Sequence, residues 1–168
     1  MKIKKLFLVT GILLFSYASQ AQIYNYYQIF MYNFAKYIQW PADKQNGDFI
    51  IGVVGDSPIT EYLTKMATQK KVGDQSIKVE VYPSASQIKP CHMLFIPEGQ
   101  SGNFSALKSK LGNQPTLIIT EKEGLGKQGS NINFIVVDGK LRFELNKTET
   151  EKSNLKISSD LTKLAILI

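Results

Sequence analysis

Phe49-Ile50-Ile51-Gly52-Val53-Val54-Gly55-Asp56-Ser57-Pro58 is the stretch from which the fold can be read. Its first six residues are aliphatic, aromatic or glycine without polar alternation, which predicts a strand buried on both faces. Gly55 to Pro58 has the composition of a turn, and a helix is predicted behind it from Ile59 to about Thr68. A strand buried on both sides needs helices above and below its sheet, so the segment points to an α/β domain.

Working outward toward the C-terminus, Ile77 to Val81 alternates as a second strand and Met93 to Ile96 forms a third. A helix is expected over Asn103 to Leu111, and a fourth strand over Thr116 to Thr120 after Pro115. Asn131 to Val137 and Leu141 to Leu145 flank Asp138-Gly139, a dipeptide that favours a tight turn between antiparallel strands. This hairpin is expected to add an antiparallel edge. Ser158-Ser159-Asp160 precedes Leu161, Leu164, Ala165 and Ile168, the pattern of a capped terminal helix docked on the sheet. Toward the N-terminus, Ile23 to Trp40 carries Tyr27, Phe30, Phe34 and Ile38 at helical spacing, and Pro41 is expected to stop that helix. The predicted fold is a mixed, largely parallel β-sheet flanked by helices on both faces, with a C-terminal β-hairpin and a terminal helix. No internal repeat or linker divides residues 22–168, so one domain is expected.

Residues 1–21 read as an export leader. Lys2, Lys4 and Lys5 open it, Leu6 to Phe15 is apolar but far short of the ~20 residues of a spanning helix, and Ser19-Gln20-Ala21 suits signal-peptidase cleavage before Gln22. Removing the leader from 168 residues leaves 147, and the formal charge of +6 falls to +3 with its three lysines. That charge is mild, the Lys70-Lys71 and Lys108/Lys110 clusters lack interleaved aromatics, and Arg142 is the sole arginine, which argues against nucleic-acid binding. Cys91 has no partner for an intrachain disulfide, so core packing must hold an exported chain together.

Chemistry-bearing residues are sparse. Gly124-Leu125-Gly126-Lys127-Gln128-Gly129 matches dinucleotide-loop spacing, but a strand follows it instead of the helix that would receive a pyrophosphate. His92 is the sole histidine, and as a strand neighbour of Cys91 it points to the opposite face, so the two cannot act as nucleophile and base. Arg142 and Glu144 share a face of the hairpin and are expected to pair. No catalytic residue, metal ligand set or cofactor site is expected. Two candidate sites remain. The first helix is rich in tyrosine, and Tyr24, Tyr26, Tyr32 and Trp40 are candidate partner-binding residues. Asp56, Ser57 and Glu121 stand at the C-terminal ends of predicted strands, where α/β sheets place ligand pockets.

Tyr32-Asn33-Phe34-Ala35-Lys36-Tyr37-Ile38-Gln39-Trp40-Pro41 resembles the opening signature of the YfiR-like periplasmic family. Ile51-Gly52-Val53-Val54-Gly55, Cys91-His92-Met93-Leu94-Phe95-Ile96, Ile132-Asn133-Phe134, Arg142-Phe143-Glu144-Leu145-Asn146 and Ile157-Ser158-Ser159 follow in the family's order. The resemblance implies a periplasmic regulator without enzymatic activity that restrains an inner-membrane diguanylate cyclase through the cyclase's periplasmic domain, lowering cyclic-di-GMP and biofilm output. A sensor kinase is the other membrane partner in view, and a homodimer the other assembly. Better-known members carry additional cysteines that form intramolecular disulfides; only Cys91 remains here. Two other readings are a small-ligand-binding module feeding a sensor kinase or an outer-membrane transporter, and a hydrolase, which would need Ser57, His92 and an acid to converge.

Overall fold

The computed structural model describes residues 22–168, and the expected leader lies outside the described residues. Helix α1 covers residues 22–37. It is followed by β1 (Ile38–Gln39), β2 (Phe49–Val54), α2 (Ile59–Ala67), β3 (Lys71–Val72), β4 (Gln75–Tyr82) and β5 (Met93–Ile96). Next come α3 (Phe104–Leu111), β6 (Leu117–Thr120), β7 (Ile132–Val137) and β8 (Lys140–Leu145). The chain closes with α4 (Lys147–Lys152), β9 (Lys156–Ile157), α5 (Ser159–Leu164) and β10 (Ile166–Leu167).

The main sheet runs in the order β10-β8-β7-β6-β5-β2-β4-β3. Its centre, from β4 through β2, β5 and β6 to β7, is parallel. Strands β7 and β8 form the antiparallel hairpin, and β3 pairs antiparallel with β4. The mixed, largely parallel α/β sheet read from the sequence is therefore the fold.

Alternation along the central strands explains why both faces are covered. Phe49, Ile51 and Val53 of β2, Met93 and Phe95 of β5, and Leu117 and Ile119 of β6 share one core with Tyr27, Met31 and Phe34 of α1 and Ile59, Leu63 and Met66 of α2. The intervening Val54, Leu94, Ile96 and Ile118 share a second core with Phe104, Leu107 and Leu111 of α3. Each fully buried side chain of this kind contributes roughly 1.5–3 kcal/mol of transfer free energy, so the sheet is stable only with helices on both sides. On the α1 side the packing is largely aromatic: Tyr27 stacks on Phe134 at 4.1 Å, and Phe34 meets Phe143 edge-on at 5.0 Å.

Three local expectations need correction. Helix α1 stops at Tyr37, and Ile38–Gln39 turn into a strand paired antiparallel with Lys156–Ile157. The pairing satisfies backbone groups that a fraying helix end would leave open, and the Ser158 amide adds a bond to the Tyr37 carbonyl at 3.0 Å. The terminal helix, capped as expected by Ser158 Oγ, ends at Leu164; Ala165 is extended, and Ile166–Leu167 add a parallel strand to β8. The hairpin is consequently not the sheet edge, because β10 covers the far end of β8. The third concerns α4, which the sequence reading missed. Its residues are polar throughout, yet Asn146 Oδ1 accepts from the Glu149 amide at 3.0 Å, and that Asn-x-x-Glu start was the available signal.

Trp40, expected as an outward anchor, is only 5% exposed. Because the helix has already ended, its direction is set by the extended chain: the ring packs edge-on against Phe49 at 5.0 Å, and Nε1–H donates to the His92 carbonyl at 3.1 Å. Trp40→Ala is expected to lower stability by about 3–5 kcal/mol, measured as the urea unfolding free energy. A loss under ~1 kcal/mol would place the indole outside the core.

Candidate functional site

The chain leaves β2 to form β4 on one side, then crosses back to form β5 on the other side of β2 and continues to β6. Connections thus diverge between β2 and β5, the topological position beside which open α/β sheets commonly bind ligands. Gly55 to Ser57 follow β2, Pro97 and Glu98 follow β5, and Glu121 follows β6.

The N-terminal part of α1 packs beside these strand ends, where Tyr27 meets Phe95 of β5 edge-on at 6.1 Å. The Glu98 amide donates to Glu121 Oε1 at 3.0 Å, and the Tyr27 phenol lies near the same carboxylate. Burial nevertheless pushes the Glu121 carboxyl above its ordinary range, with Glu98 adding to the rise. Tyr27 is raised well above the usual tyrosine range by burial and then by the Glu121 charge, and Tyr24 is raised in the same order. The two rings meet edge to face at 5.5 Å. Ser57 is buried, and its hydroxyl faces the Tyr24 phenol without a hydrogen bond of acceptable geometry; Thr60 Oγ1, in the first turn of α2, is also buried and unpartnered. The Gln100 side chain lies over Gly55, whose positive φ of 69° and crowded Cβ position both call for glycine.

The structure therefore divides the residues singled out from sequence. Ser57 and Glu121 both lie at strand ends, and Tyr24, half-buried instead of facing outward, is near enough to Glu121 for the carboxylate to add to the effect of burial in raising its phenol. Asp56 is exposed at the turn and takes no part in the cluster. Tyr27 belongs to the site but shares the apolar spacing of the helix, so its core role masked its hydroxyl. Tyr26 is 46% exposed. Tyr32 lies at the foot of α1, where its hydroxyl donates to the Lys71 carbonyl at 3.3 Å.

A concavity of about 450 Å³ runs between α1 and α2. Ile29, Tyr32, Tyr62 and Met66 give it an apolar floor, and Glu61, Lys65 and Lys70 edge it. Tyr26 and Ile29, one helical turn apart and 46% and 48% exposed, form an apolar surface on the same helix.

His92 lies at the opposite end of the sheet from Ser57. Its Nδ1 accepts from the Ile50 amide at 2.9 Å and its Nε2 donates to the Lys44 carbonyl at 2.8 Å, an arrangement that requires the neutral tautomer. Ile50 precedes Ser57 by seven residues, and at ~3.3 Å per strand residue the serine is roughly 20 Å away. The Ser57–His92 pair that a hydrolase needs is not formed. Cys91 is buried, its thiol pushed up to about 12 mainly by desolvation, so it is poorly nucleophilic.

The glycine loop also has a structural cause. Lys108 lies against Gly129 where a Cβ would sit and reaches Glu149 at 2.7 Å, while Glu144 and Ile168 crowd Gly126. Beside it, Asn131 Oδ1 accepts from the Ile118 amide at 2.7 Å, Thr120 Oγ1 donates to Asn133 Oδ1 at 2.6 Å, and Asn133 Nδ2 donates to Glu144 Oε2 at 3.0 Å. Glu144 thus takes Asn133, its cross-strand neighbour, as partner, and the expected Arg142–Glu144 pair is absent among the described residues.

Residues 24–166 match the YfiR/HmsC-like family, and the chain belongs to that family. No curated protein matches it significantly.

Burial holds the folded pKa of His92 below the ordinary value, with the Lys44 charge adding to the fall, and protonation would also place a proton on the nitrogen that accepts from Ile50. Below pH ~6.5 the unfolded chain takes up a proton that the folded chain resists, so stability falls with pH until the folded histidine also titrates. His92→Gln is expected to be less stable at neutral pH but to lose less on acidification, by on the order of 1 kcal/mol between pH 7.5 and 5.5, read from urea midpoints. Identical slopes in both proteins would remove His92 from the linkage.

Proposed function

We propose that this domain is a non-enzymatic periplasmic regulator that binds the periplasmic domain of an inner-membrane signalling protein and restrains it. A diguanylate cyclase is the partner class, since the YfiR/HmsC-like family is one of periplasmic cyclase regulators. Among the described residues no helix is long and apolar enough to cross a membrane, so the reading calls for a partner that supplies the membrane connection.

The observation that carries the reading is the outward side of α1. Its inner stripe is wholly core, with Met31 and Phe34 at 0% exposure, yet Tyr26 and Ile29 are left half-exposed beside the α1/α2 groove. An aromatic and an aliphatic anchor beside a concavity with a charged rim match the composition of an interface centre. The task requires no catalytic group, and nothing assembled around His92 or Cys91 offers one. The ligand-module reading is favoured by a different observation, the buried Ser57 hydroxyl beyond the C-terminal end of β2, which has no hydrogen-bond partner.

Calorimetric titration with the isolated periplasmic domain of a membrane diguanylate cyclase tests the docking reading. Tyr26→Ala and Ile29→Ala are each expected to weaken binding roughly tenfold or more, about 1.4 kcal/mol, while shifting the unfolding free energy by less than ~0.5 kcal/mol. Undiminished binding by both variants would move the interface elsewhere.

A further inference from the structure

The groove between α1 and α2 has a shape and a charge that together specify what can fill it. On α1 it is lined by Asn25, Gln28, Ile29 and Tyr32, which fall on one helical stripe, and on α2 by Tyr62 and Met66, four residues apart. The α1 stripe spans about 10 Å, two turns at the rise of an α-helix. Both walls are helices, whose backbone groups bond within the helix, so the groove offers no sheet edge to an extended strand. Ile29 is left half-exposed along it.

The charge gathers around Tyr32. Lys36 and Lys70 hold their ammonium groups 5.7 and 5.8 Å from the centre of its ring, and Lys65 edges the same groove. Among the described residues none of these three lysines is in an ion pair, whereas Lys78, Lys108 and Lys152 elsewhere are. Glu61 is the one carboxylate in the lining. An apolar floor two turns long with uncompensated positive charge calls for an occupant that is apolar on one side and negative beside it. We infer that the groove receives a two-turn amphipathic helix of the docked partner, with apolar side chains at i, i+3 or i+4, and i+7 on the floor and aspartate or glutamate near Tyr32. The inference rests on the docking reading and names the surface that the partner must bring. A second copy of this face would set lysines against lysines, because a two-fold contact pairs a patch with itself. A small amphiphilic anion would meet the same lysines without using the matched helical spacing of the two walls.

Fluorescence anisotropy with two labelled peptides on the purified protein tests the inference. Each peptide is about fifteen residues long and cross-linked into a helix, since so short a helix is marginal on its own. Both carry leucine at i, i+3, i+4 and i+7; one has glutamate beside that stripe and the other lysine. The glutamate peptide is expected to bind at least roughly tenfold more tightly than the lysine peptide. Lys36→Glu and Lys70→Glu should remove most of that preference, and Ile29→Ala should weaken the glutamate peptide. Lys140→Glu, the same charge change at the tip of the β7–β8 hairpin, should do neither. All four positions are exposed, so the variants keep the fold. Equal affinity for the two peptides, no binding of the glutamate peptide at millimolar concentration, or a preference reduced as much by Lys140→Glu as by Lys70→Glu would overturn the inference. So would self-association abolished by Ile29→Ala, which puts a second copy in the groove, or octanoate binding more tightly than the glutamate peptide, which assigns it to a small amphiphile. Binding of the glutamate peptide by a protein that ignores a cyclase periplasmic domain would uphold the groove's chemistry and reject the cyclase. Cyclase binding that depends on Ile29 but on neither Lys36 nor Lys70 would uphold the docking reading and reject the acidic helix.

Discussion

A parallel sheet buried at its centre has no side to offer water, and in this domain one side is closed chiefly by the aromatic stripe of α1. Tyr27 on Phe134 and Phe34 against Phe143 fix where that helix lies and how it is rotated. Both candidate sites follow from this placement. The helix's N-terminal end is carried over the ends of β5 and β6, which delivers Tyr24 and Tyr27 to Glu121. The same rotation turns Tyr26 and Ile29 outward, because a helix that buries one stripe must expose the residues between its turns. A single packing arrangement therefore links the stability of the sheet to its two surfaces.

The elements legible in the sequence are those whose own side chains dictate them. Continuous apolar runs gave β2 and β5 at their observed limits, and Asp138-Gly139, with φ of 50° and 69°, gave the hairpin turn. The elements that escaped owe their form to something distant. Strands β1 and β9 have two residues each and exist because they pair with one another, while β10 exists because β8 had a free edge. Helix α4 has no apolar period to detect, only its cap.

The sites divide in the same way. Strand ends were predictable as the location of Ser57 and Glu121 once the order of strands and helices was known. The nearness of Tyr24 to them depends on the docking angle of α1, a tertiary quantity that helical spacing does not contain. Trp40 shows the limit most plainly. Read as the last residue of a helix it belongs to an aromatic outer face, but three residues earlier the helix has ended, and its indole turns inward to the His92 carbonyl. Several blocks by which the chain resembles its family are likewise structural: Asn133 and Glu144 join the hairpin strands, and His92 ties β5 to β2 and to the Lys44 carbonyl.

The central claim is that the domain acts through the outer side of the helix that completes its core. Hydrogen–deuterium exchange, comparing the protein alone with the protein bound to a cyclase periplasmic domain, addresses it most directly. The account predicts slowed exchange in residues 22–37 and in α2, with the β7–β8 hairpin unchanged. Protection confined to the hairpin or the β10 edge, with α1 exchanging as in the free protein, would contradict it.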